Sequence, residues 1–89
     1  MLVNVNSRRD IKCRTKFGEW LVYNIYHNDL TITQLAERLR LSRATISTHI
    51  NGTHKPTFVN VVAYCYVFEK INGEMLFPQA IYKMVDEEL

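Results

Sequence analysis

TITQLAERLRLSRATISTHING, residues 31–52, decides how the rest of the chain is read. Thr31 and Gln34 have the spacing of a capping box, in which a hydroxyl caps a helix end and an amide reaches back to it. Leu35, Ala36 and Leu39 follow on one helical face. Ser42 is a second N-cap residue, and the apolar positions behind it, Ile46 and Ile50, lie four apart. Only Arg40 and Leu41 separate the two stretches, so a sharp helix-turn-helix corner is predicted. Arg43, Ala44, Ser47 and Thr48 fall outside the apolar stripe. A helix with a small, hydrogen-bonding outer face can approach base edges closely. The second helix is therefore expected to lie in a DNA groove.

The chain has 89 residues, of which 47% are hydrophobic and 22% charged, enough for one small folded domain over residues 1–89. A core of that size is thin, and a dimer interface would add burial. No apolar run approaches the roughly 18–20 residues of a membrane span, and no leader pattern opens the sequence. The expectation is a cytoplasmic protein without membrane contact. Cys13 and Cys65 are the only cysteines and are expected to be free thiols, with Cys65 a small core residue. His27, His49 and His54 share no ligand spacing with them, so neither a metal nor any other cofactor is expected.

Charge is unevenly spread. Residues 1–56 carry nine Lys/Arg against four Asp/Glu, whereas residues 57–89 carry two against five. A basic front and an acidic rear suit a molecule that sets one face against phosphates. A solvated surface with chance asymmetry is the plainer alternative.

Outside the motif, residues 1–7 read as a short strand or a disordered lead-in. The basic stretch SRRDIKCRTK that follows reads as an arm (within residues 1–14) or an early extension of the first helix. Phe17, Trp20, Leu21 and Ile25 set an amphipathic helix ending near Asn28–Asp29. Gly52 ends the second motif helix, and Thr57 can cap the next. That next helix is strongly apolar, with Phe58, Val61, Val62, Cys65 and Phe68, and with Tyr64 and Tyr66 beside them. Asn72-Gly73 breaks it. Pro78 then precedes Ile81, Met84, Val85 and Leu89 in a last helix within 74–89. The fold class expected is all-α, a compact bundle of about five helices with no assigned strand. Trp20 and the aromatic group in 58–68 are expected in the core, since no basic groove runs between them.

The order of these elements resembles the phage-repressor and Cro family, the lambda repressor-like helix-turn-helix domains. The resemblance runs from about Phe17 to Phe68. It is carried by Thr31, Leu35-Ala36, Leu39, Leu41-Ser42, Ile46-Ser47, Ile50-Asn51-Gly52 and Lys55-Pro56. Two positions depart from the family: Arg40 stands where glycine is usual at the turn, and Ile32 where glutamine often stands. The resemblance implies base contacts from Arg43, Ala44 and Thr48. It further implies backbone contacts from the motif helix starts (Thr31, Thr33, Ser42, Thr45, Ser47) and from Asn51, Thr53, His54 and Lys55. The chemistry agrees, since an arginine fork matches O6 and N7 of guanine and an alanine methyl suits a thymine methyl. Solvation of Arg43, and a Thr48 hydroxyl satisfied by its own turn, are the competing readings. His49, beside the Ile46–Ile50 side, reads as a partly buried structural residue rather than a DNA contact.

The leading functional expectation is a sequence-specific double-stranded DNA-binding regulator. It would be a homodimeric repressor of phage or mobile-element type on a near-palindromic operator, joined through Ile81, Met84, Val85 and Leu89. The alternative is an antitoxin-like DNA-binding module that also binds a partner toxin protein, for which acidic residues 86–88 leave room. An enzyme is not expected: there is no Ser/His/Asp or Cys/His arrangement, no glycine-rich phosphate loop and no paired carboxylates in a recognisable setting.

Overall fold

The computed structural model describes residues 2–4 and 10–87. Two three-residue strands, β1 (Leu2–Asn4) and β2 (Asp10–Lys12), pair antiparallel with Leu2 opposite Lys12 and Asn4 opposite Asp10. Five helices follow: α1 (Lys16–His27), α2 (Ile32–Leu39), α3 (Arg43–Asn51), α4 (Phe58–Asn72) and α5 (Pro78–Glu87). The all-α bundle is as expected. Strand β1 falls within residues 1–7, where a short strand is one of the two readings, but β2 is not expected, since residues 10–12 form a strand rather than an arm or an extension of α1. Three residues are too few to display an alternation, and the pairing joins segments that local pattern does not connect.

Local chemistry places the helix starts. Thr15 caps α1, its Oγ1 accepting from Gly18 N–H at 2.9 Å. In α2 the capping box is complete. Gln34 N–H donates to Thr31 Oγ1 at 3.0 Å, and Thr31 N–H donates to Gln34 Oε1 at 2.9 Å. Thr57 and Asn60 repeat that box at α4, with bonds of 3.1 and 3.0 Å. Each cap satisfies amide groups that a helix start otherwise leaves unpaired.

The core gathers Phe17, Leu21, Val22 and Ile25 from α1, Leu35 from α2, Ile46 and Ile50 from α3, and Val61, Tyr64, Cys65 and Phe68 from α4. Val85 of α5 closes it. Helix α1 packs against α3 and α5, while α4 packs against α2 and α5. An asparagine ladder ties the far ends of α1 and α4 together. Asn24 Nδ2 donates to Trp20 O at 2.9 Å, Asn28 Nδ2 to Asn24 O at 2.7 Å, and Asn72 Nδ2 to Asn28 Oδ1 at 2.9 Å. Cys13 and Cys65 are buried free thiols, and burial pushes the Cys65 thiol up to about 11. Among the described residues no helix is long and apolar enough to cross a membrane.

One part of the expected core is corrected. Trp20 is half-buried, edge-on to Phe68 at 5.7 Å, but Phe58, Val62 and Tyr66 are exposed. Positions 58, 62 and 66 are successive i, i+4 neighbours on a side of α4 turned away from Val61, Tyr64 and Phe68. The helix is apolar around most of its circumference, and the bundle covers only part of it.

Candidate nucleic-acid interface

The turn between α2 and α3 is tight. Arg40 takes the left-handed conformation (φ 58°, ψ 37°), the geometry glycine adopts without strain. A residue with a Cβ pays about 1–2 kcal/mol there. Leu41 N–H donates to Ala36 O at 3.0 Å, so the reversal also satisfies a carbonyl at the end of α2. Ser42 then starts α3: its Oγ accepts from Thr45 N–H at 3.0 Å and bonds the Thr45 hydroxyl at 2.8 Å.

With Ile46 and Ile50 buried, α3 turns Arg43, Ala44 and Ser47 to solvent and leaves Thr48 half-exposed. Thr48 Oγ1 donates to Thr45 O at 2.7 Å. In this conformation its proton is given to its own helix, which leaves the oxygen lone pairs to accept from an incoming group.

Beyond α3, Gly52 is left-handed (φ 83°) and the chain folds back: Gly52 and His54 N–H both donate to Thr48 O. Asn51 Oδ1 accepts from Thr53 N–H at 2.9 Å and from the Thr53 hydroxyl at 2.8 Å. This turn brings the loop beside the helix. Ala44, Thr45, Thr48, His49, His54 and Lys55 line one shallow hollow of about 360 Å³. Thr31 and Thr33 sit at the start of α2, outside the hollow, and Thr31's cap already engages its hydroxyl.

Two partners in this region carry no local sequence signal. Lys55 Nζ lies 3.4 Å from Asp86 Oδ1 of α5, a partly exposed ion pair across 31 residues. His49 is buried, and its Nδ1 lies 2.7 Å from the Tyr64 hydroxyl. Burial lowers the His49 pKa, with His54 adding to the shift, and burial raises that of Tyr64. Both groups are therefore held in their neutral forms, and one proton is shared between His49 Nδ1 and the Tyr64 oxygen.

No protein family, characterised protein or solved structure matches this chain. The chemistry of the surface is thus read from its own residues. It offers exposed guanidinium groups at Arg40 and Arg43, a methyl, hydroxyls and a lysine, a set suited to hydrogen bonding and charge neutralisation. Among the described residues no group of three His, Cys, Asp or Glu side chains is placed to hold a metal.

Of the residues expected at a dimer contact, Val85 is buried in its own core, and Ile81 and Met84 are half-buried against it. Leu89 lies outside the described residues, as do Arg8 and Arg9 of the basic stretch.

Proposed function

We propose that α2 and α3 are a helix-turn-helix pair and that the chain is a sequence-specific double-stranded DNA-binding regulator. The observation that carries this reading is the outer face of α3. Apart from Arg43 its side chains are small, they are open or half-open to solvent, it follows a tight hydrogen-bonded turn, and it shares a hollow with the basic loop at His54 and Lys55. In this docking mode the N-terminal end of α3 enters the major groove. Arg43 then reads a guanine through O6 and N7, and Ala44 packs on a thymine methyl. Thr48, with its proton given to Thr45 O, suits as an acceptor the amino group of cytosine or adenine. Ser42 and the helix-start amides favour a phosphate, and Lys55 exchanges Asp86 for another. The resemblance of residues 17–68 to phage repressors and Cro favours a homodimeric repressor on a near-palindromic site.

Selection of bound fragments from random duplex DNA at modest salt tests the reading. A recurring site should emerge, and Arg43→Ala should lose about 1–3 kcal/mol on it while relaxing one base position, a guanine. A uniform loss on all sequences would make Arg43 a phosphate contact. No enriched site would end the proposal.

A further inference from the structure

The exposed side of α4 has no part in the DNA reading. Val59 is 73% exposed, Val62 39% and Tyr66 60%, and with Leu39, Ala63 and Val67 they floor a groove of about 610 Å³ between α2 and α4. Arg38 and Lys70 stand on its rim and no acidic side chain lines it. Lys70 Nζ is held over the Tyr66 ring, 5.6 Å from its centroid. Neither cation is paired with a carboxylate among the described residues.

We propose that this groove docks an acidic amphipathic helix of a partner protein. A helix apolar on nearly all sides is ordinarily covered on all sides, and α4 is covered on all but this one. Val59, Val62 and Tyr66 follow i, i+3, i+7 spacing, the ladder into which the anchors of a second helix fit. From 59 to 70 the stripe runs about 16 Å, room for roughly three turns of a partner.

The rim charges select the occupant. A helix with carboxylates beside its apolar anchors would meet Arg38 and Lys70, whereas a basic one would be repelled. A second copy of this chain is disfavoured by the same charges. Packed antiparallel, α4 on α4 brings Arg38 and Lys70 of each copy towards the N-terminal end of the other helix, positive by its dipole. Packed parallel, it sets lysine beside lysine. The apolar stripe of α5, the other candidate within the chain, is engaged with the core through Val85, Ile81 and Met84.

The inference stands apart from DNA binding and is tested separately. Two fluorescein-labelled helical peptides of about 14 residues would share leucines at i, i+3, i+7 spacing, one flanked by glutamates and one by lysines. Anisotropy titrations with the full chain should give the acidic peptide at least a tenfold lower Kd. Arg38→Glu with Lys70→Glu should invert the preference. Val62→Glu should abolish binding of the acidic peptide while thermal melting and DNA binding stay as in the unaltered chain. Equal binding of both peptides, or of neither, overturns the proposal. So does sedimentation equilibrium in which the chain self-associates, excludes the acidic peptide and is made monomeric by Val62→Glu, because the groove would then belong to a second copy.

Discussion

His49 shows how one buried residue ties stability to pH. Its Nδ1 is hydrogen-bonded to the Tyr64 hydroxyl in the core at 2.7 Å, and burial holds its pKa below the ordinary 6.5. The unfolded chain then takes the proton more readily than the folded one. The stabilisation is therefore complete above pH 6.5 and is lost as pH falls through the window below it, levelling off once the folded form is also protonated. Thermal melts should show the midpoint falling as the solution is acidified from pH 6.5, and His49→Gln should flatten that segment. Tyr64→Phe should cost about 1–3 kcal/mol by leaving a buried ring nitrogen without its hydrogen-bond partner. An equal acid slope in His49→Gln would place the titration elsewhere. The caps at Thr31, Ser42 and Thr57 were legible in the sequence because cap and partner lie three residues apart. The burial of His49 was legible from its neighbours Ile46 and Ile50. Its partner was not, since 15 residues separate it from Tyr64 and only the assembled bundle brings the two side chains together.

Between elements, the site depends on how closely α1 approaches α3. Gly18 makes that approach possible: a Cβ there would collide with the backbone carbonyl of Ile50 and crowd Thr15 Oγ1 at 3.2 Å. Backbone cannot swing aside as a side chain can, so Gly18→Ala must lever α1 away from the end of α3. Urea titration should show a loss of about 1–3 kcal/mol, in the range of overpacked cores. A loss under about 0.5 kcal/mol would mean that α1 pivots freely on α3. The apolar spacing of Phe17, Leu21 and Ile25 announced α1 but gave no sign of this contact, because a glycine is silent in any hydrophobic pattern. The opposite failure occurred in α4. Its apolar residues were legible as a helix, but periodicity cannot divide a helix that is apolar on nearly all sides into covered and uncovered faces. Exposure of Val62 and Tyr66 follows from where α2 and α5 stop, which is a property of the assembled bundle.

At the scale of the whole molecule, the proposed operator contact asks for two copies. The proposed contact would draw its phosphate partners from the basic excess of residues 1–56, while the acidic excess of 57–89 is set partly on α5. Asp86 pairs with Lys55 and thereby links the two regions. A two-fold contact through α5 would draw on the surface that Ile81 and Met84 leave open, since Val85 is committed to its own core. Two α3 helices would then meet successive major grooves roughly 34–36 Å apart. Met84→Glu is a poor probe, for it strikes the core and the contact together. Ala80 is better: it is exposed, and its place in α5 is beside Ile81 and one turn before Met84. Ala80→Glu should melt as the unaltered chain does, yet sediment as a monomer, because like charges would face each other across the two-fold axis. On DNA, the unaltered chain should bind two subunits per site and Ala80→Glu should bind far more weakly. Sedimentation of the unaltered chain as a monomer at tens of micromolar, well above typical specific affinities, with one subunit per DNA site, would remove the dimer and leave a single-headed reader of DNA.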